Sequence, residues 1–211
     1  MDRLIAILGL SILIASCQSN APVVVASPAP SPSPHTAATD AVLQSSEVPA
    51  GLSPCLGSGP IDVYLTTLAN ADANLAARVS AQWEQLRVAG ATSGAISLFV
   101  STPPACNAEL ATTSSAKSIT AFVAEFAEPG QADRAWQTGV FGFMPPAPGE
   151  LPAGVTSGAG TGLGLSSWTY DRAPVHLASW HRSVFVALVV VTNLDAATFK
   201  AATTAIDARL D

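Results

Sequence analysis

The sequence predicts an α+β domain: a largely antiparallel sheet, ending in a β-meander, with helices packed on it. Three observations predict it. Residues 165–192 hold three β-patterned stretches, LSSWTYD, VHLASW and SVFVALVVVT, separated by short turn-forming connections. Connections that short join antiparallel neighbours. Two earlier apolar segments, AISLFVS at 95–101 and SITAFVAEFA at 118–127, are also β-rich. Helical stripes at three- and four-residue spacing precede, separate and follow these strands. The order is helix, two strands, helix, three strands, helix, read as one domain over residues 54–211.

The chain opens MDRLIAILGLSILIASC. Arg3 and the amino terminus are positive, and Leu4 to Ala15 form an apolar run of about twelve residues. A bilayer-spanning helix takes roughly 20, so residues 1–16 read as a signal peptide. Ile14-Ala15-Ser16-Cys17 resembles the lipobox of bacterial lipoproteins: an aliphatic residue, two small residues, then Cys. The resemblance implies a diacylglycerol thioether on Cys17, removal of the peptide before it, and a domain held on the extracytoplasmic side of a cell membrane. Two or three acyl chains, at about 0.8 kcal/mol per buried CH₂, make such an anchor durable. Cys17→Ala should abolish palmitate labelling; label persisting in that variant would refute the assignment.

Residues 17–53 read as the lipidated Cys followed by a tether rich in Ala, Pro, Ser and Val, with ASPAPSPSPHT at 26–36. Repeated X-Pro pairs favour extended polyproline II geometry, and no patterned apolar face builds a core. As a flexible coil its span is roughly 35 Å. His35 falls in this stretch, which makes it a poor catalytic candidate.

The first helical pattern runs from Ile61 to Val88. Leu65, Leu68, Leu75, Val79 and Leu86 form one stripe, Asn70-Ala71-Asp72 offers a break, and Gly90 is a stop signal. After the strands at 95–101 and 118–127, Glu128-Pro129-Gly130 turns the chain into a helix over Gln131–Val140 that buries Ala132, Ala135 and Trp136. Residues 144–164 are rich in Gly and Pro and read as a long loop. Val184 to Val191 contains no polar residue, which predicts a central strand covered on both faces. A helix from Leu194 to Leu210 closes the chain, with Thr192 and Asp195 matching a capping box and Phe199, Ala202, Ile206 and Leu210 as its core stripe. Strands followed by a packing helix occur twice, a loose echo of a duplicated half-domain.

Three Cys is an odd number for an exported chain. Assigning Cys17 to lipid leaves Cys55 and Cys106, for which an extracytoplasmic compartment permits a disulfide. The alternatives are free thiols or metal ligands, though no paired His sits near them. Such a bridge closes a loop of about 52 residues, worth roughly 4 kcal/mol in chain entropy.

EFAEPGQADRAWQTGV at 125–140 and HLASWHRSVFVALVVVTNLDAATFKAATTAIDARL at 176–210 resemble the exported sensor-like domains of mycobacterial PknH-type kinases and LpqN-type lipoproteins. In those a strand leads into an Ala-rich helix, and a late hairpin leads into a terminal one. The resemblance implies a ligand-sensing or interaction module and assigns no functional residue.

Catalytic chemistry finds few candidates. Charged residues are 11% of the chain, well below the usual quarter. There is no G-x-S-x-G elbow for a nucleophilic triad. His176 and His181 lie five apart on strands, which puts them on opposite faces and disfavours a shared metal. Glu125, Glu128 and Asp133 gather at the start of the middle helix, where dipole interaction explains them. SGAGTGLGLSSW at 157–168 is Gly-rich, but it precedes a strand and lacks the Lys and helix of a phosphate loop. No metal site and no cofactor are expected. Trp168, Tyr170, Leu177 and Trp180 either pack in the core or form an exposed platform. The latter makes Trp168, Tyr170 and Trp180 the candidate binding surface for a sugar or a protein partner.

A net charge of −6 and a pI of about 4.9 exclude a nucleic-acid binder, which needs a basic stripe to displace phosphate counterions. The expected function is a membrane-anchored, non-catalytic binding or sensor module. Its partners are the membrane and an envelope protein or small molecule. An envelope enzyme acting on glycan or peptide, and a structural assembly factor, are the alternatives.

Overall fold

The computed structural model describes residues 37–147, 149 and 151–210. The signal peptide, Cys17 and His35 lie outside the described residues. The strands are β1 (Ser53–Pro54), β2 (Gly59–Pro60), β3 (Ala91–Val100), β4 (Ser118–Phe126), β5 (Val155–Ser157), β6 (Ser167–Arg172), β7 (Val175–Arg182) and β8 (Phe185–Thr192). They form one antiparallel sheet in the order β1-β3-β4-β8-β7-β6-β5, with β2 also paired to β3. The helices are α1 (Ala38–Ala41), α2 (Ile61–Ala71), α3 (Ala73–Val88), α4 (Pro129–Thr138) and α5 (Ala196–Asp207). The predicted α+β architecture with its C-terminal meander is what the chain adopts.

Strand alternation separates two cores. Ile96, Leu98, Phe122, Phe126, Val186 and Leu188 point to one face, where α2, α3 and α4 cover them. Phe99, Ile119, Val123, Phe185, Val189 and Val191 point to the other, under α1 and α5. The run without polar residues is therefore the middle strand: β8 lies between β4 and β7 and is buried from end to end. The two helices of the apparent repeat, α4 and α5, pack on opposite faces, so the echo is not a structural duplication.

The helix boundaries follow local chemistry. Asp72 ends α2 and caps α3, its carboxylate accepting from the Leu75 N–H at 2.9 Å. Trp83 of α3 needs Gly94 beneath it: a Cβ there would sit 2.8 Å from the indole. The ring meets Phe122 edge-on with centroids 6.2 Å apart. At the chain's end, Asp195 and not Thr192 caps α5, accepting from Thr198 N–H at 2.8 Å. That hydrogen bond holds the Asp195 carboxyl below its ordinary value. Thr192 is already spent as the last residue of β8, paired with Ser118 and Val175.

The ordered domain begins earlier than residue 54. Ala38, Ala41, Val42 and Leu43 are buried against the α5 face, and Glu47 pairs with Arg209 at 3.0 Å. Ser53 and Pro54 add β1 to the edge of β3. This short segment has tether-like composition and no period of its own, and it is held by β3, β4 and the C-terminal helix, all distant in sequence. Residues 144–164 likewise hold β5 and a 3-10 turn, Gly158–Thr161, not unbroken loop. Cys55 and Cys106 are joined in a disulfide with Cα atoms 5.6 Å apart. No helix among the described residues is long and apolar enough to cross a membrane.

Candidate functional site

The sheet face that carries α2, α3 and α4 is left open at one end. There β5 and β6 extend the sheet past the helices, and Phe143 and Pro152 border the opening. Register fixes which side chains floor this opening. Val155 pairs with Tyr170, Tyr170 with Leu177, and Arg172 with Val175. Trp168 lies two residues before Tyr170 and shares its face. The result is an apolar groove of about 510 Å³, walled by Phe143 and Pro152 and by Pro174 of the β6–β7 turn.

Arg172 stands at the groove as its one charged lining residue. Its aliphatic stem crosses Gly154, where a Cβ would meet the Arg172 Cγ at 2.5 Å, and the φ of +90° there also favours glycine. No carboxylate of the described residues lies within ion-pair distance of Arg172. Beneath the floor, the Trp168 indole N–H is buried without a hydrogen-bond partner, an arrangement that costs about 1–3 kcal/mol. A neighbouring cleft of about 470 Å³ runs past Trp136, whose indole N–H is also unpartnered, and carries the exposed Leu151 and Leu165 on its wall.

The three residues of the expected platform do not share one face. Trp168 and Tyr170 line the groove with Leu177, but Trp180 is fully buried in the opposite core. The reason is parity. Trp180 pairs with Ser167, one residue off from Trp168, and a one-residue offset sends a side chain through the sheet.

The two imidazoles lie on opposite faces, as their spacing predicts. His176 is buried, stacks on Phe199, and spends both ring nitrogens. Nδ1 meets an Asp171 carboxylate oxygen at 2.6 Å, and Nε2 meets the Leu194 carbonyl at 3.1 Å. A carbonyl only accepts, so Nε2 carries a proton; no ring nitrogen is left to act as a base. His181 is half-buried, its Nε2 donating to the Ser183 carbonyl at 2.8 Å. Its other nitrogen lies 3.7 Å from Asp133.

The carboxylates near α4 do not converge. Glu125 accepts from the Ser93 hydroxyl at 2.9 Å and Asp133 from Gln137 at 2.8 Å. Glu128 occupies the N-cap position without a side-chain cap bond. The Gly-rich run at 157–168 closes on itself: the Ser167 hydroxyl donates to the Gly164 carbonyl at 2.6 Å and lies 2.6 Å from that of Thr161. It leads into β6, not into a helix.

No protein-family model, curated protein or solved structure matches the chain. The groove over β6 and β7 is therefore defined by its own residues. The sequence singles out Trp168, Tyr170 and Leu177 but not Arg172, Phe143 and Pro152. A charged residue next to a turn and a lone Phe after a glycine carry no periodic signal, and only the fold brings them together.

Proposed function

We propose that the protein is a lipid-anchored, extracytoplasmic binding module, tethered through Cys17, that takes small amphipathic acids in the groove over β6 and β7. The observation that carries this reading is the groove itself: an apolar cleft on a sheet face that helices cover elsewhere, with a lone guanidinium at its edge. Its volume falls in the range of small-molecule sites, which are mostly apolar with a few placed polar groups. An acyl or ring-bearing tail suits Tyr170, Leu177 and Val175, and an anionic head suits Arg172, a fork-shaped donor that holds carboxylates in two parallel hydrogen bonds. The lipobox motif ending in Cys17 and the resemblance to exported sensor domains support the location and the class.

Titrating octanoate and octan-1-ol into the intact chain tests the groove by calorimetry. Tyr170→Ser should weaken both probes at least tenfold. Arg172→Gln should weaken octanoate at least fivefold and leave octanol nearly unchanged. Absence of saturable binding, or indifference to both substitutions, rejects the groove as the ligand site.

A further inference from the structure

A second cavity lies at the other edge of the sheet, away from the groove. It is the more enclosed of the two and holds about 240 Å³. Its floor is Tyr64 and Leu68 of α2 with Val100 of β3. One wall is the loop carrying Pro54 and Leu56; the other is the 3-10 turn Pro103–Asn107. Cys55 and Cys106 belong to these two walls, so the disulfide holds them a fixed distance apart.

We propose that this cavity binds a neutral, single-ring aromatic molecule bearing a short hydroxyl- or amide-containing substituent. Size sets the first limit. A cavity of about 150 Å³ accepts benzene, so this one has room for a ring and a few more heavy atoms. Charge sets the second. No charged side chain lines the cavity, and an ion drawn into an unpaired apolar site loses hydration it cannot replace. Burial pushes the Tyr64 phenol up to about 12, the Leu110 backbone pulls against that shift, and the Glu109 charge adds to it. The phenol is thus neutral, and its hydroxyl is buried beside the Leu110 backbone. Chemistry sets the third. The Tyr64 ring and the Cys106 sulfur both favour contact with an aromatic ring. Ser53 and Asn107, both exposed, put polar groups at the mouth, where a substituent would emerge. Leu56 is 89% exposed beside it, an apolar side chain free to close over a bound ring.

Benzyl alcohol is the probe, followed through the methyl resonances of Leu56, Leu68 and Val100 in the intact oxidised chain. Saturable shifts at these methyls are expected, with benzoate at least tenfold weaker. Asn107→Trp, made at an exposed rim position, should plug the mouth and remove the shifts while the rest of the spectrum stays folded. Tyr170→Ser, which alters the groove, should leave them intact. Shifts that do not saturate, that match for benzoate, or that survive Asn107→Trp overturn the proposal. So do shifts lost in Tyr170→Ser, which would place the probe in the groove.

Discussion

Reducing the Cys55–Cys106 bridge should lower the melting temperature by roughly 8–16 °C. The two residues are 51 apart in sequence, and freeing a loop of that length returns about 4 kcal/mol of chain entropy to the unfolded state. A domain of this size loses about 2–4 °C per kcal/mol. The bridge also holds a local structure that has little else to hold it. Cys55 follows β1, a two-residue strand on the edge of β3, and Cys106 sits in a single 3-10 turn beyond the end of β3. Calorimetry with and without reductant, repeated on Cys55→Ser/Cys106→Ser, measures the effect. A fall under about 3 °C in both experiments would show that the entropy of this loop is not what stabilises the fold.

Trp180→Ala should cost about 3–5 kcal/mol, the range for removing a large buried aromatic from a core that relaxes only in part. Trp180 is the largest of the fully buried side chains, and it packs on the α5 side of the sheet with Phe185, Ile206 and Leu210. Its indole N–H has no hydrogen-bond partner. Trp180→Phe therefore removes an orphaned donor along with some volume, and should cost less than half as much as the alanine variant. Urea denaturation should place the two midpoints well apart. An alanine variant within about 1.5 kcal/mol of the parent would contradict the burial argument. It would also reopen a surface role for this residue.

Long elements were legible because they repeat a pattern over many residues. β8 announces itself by Val184–Val191, and α2 and α3 by the Leu68–Leu75–Val79–Leu86 stripe broken at Asp72. The elements that escaped are two to four residues long: α1, β1, β2 and β5. None has room for a period, and each is held by what it packs against. Ala38–Leu43 shows this most clearly, since the same composition a few residues earlier reads as tether. The candidate site was half legible for a different reason. Placing Trp168 and Tyr170 on one face needs only alternation within a strand. Placing Trp180 relative to them needs the turn between. With Arg172 opposite Val175 across a two-residue connection, position 168 faces 179, and Trp180 is committed to the far side. Knowing the turn length would have settled it.

The sheet's middle also governs when the fold can close. β4 meets β8 along its full length, from Ser118 opposite Thr192 to Glu125 opposite Phe185, and Glu47 finds Arg209 across 162 residues. Pairings so distant in sequence make for slow folding, because the intervening chain must be ordered first. A chain threaded N-terminus first through a narrow channel would deliver β4 long before its partner, and α1 and Glu47 long before α5. Its central seam has nothing to zip onto until β8 is through. The same topology that buries β8 between β4 and β7 thus postpones closure of the sheet until most of the chain is available.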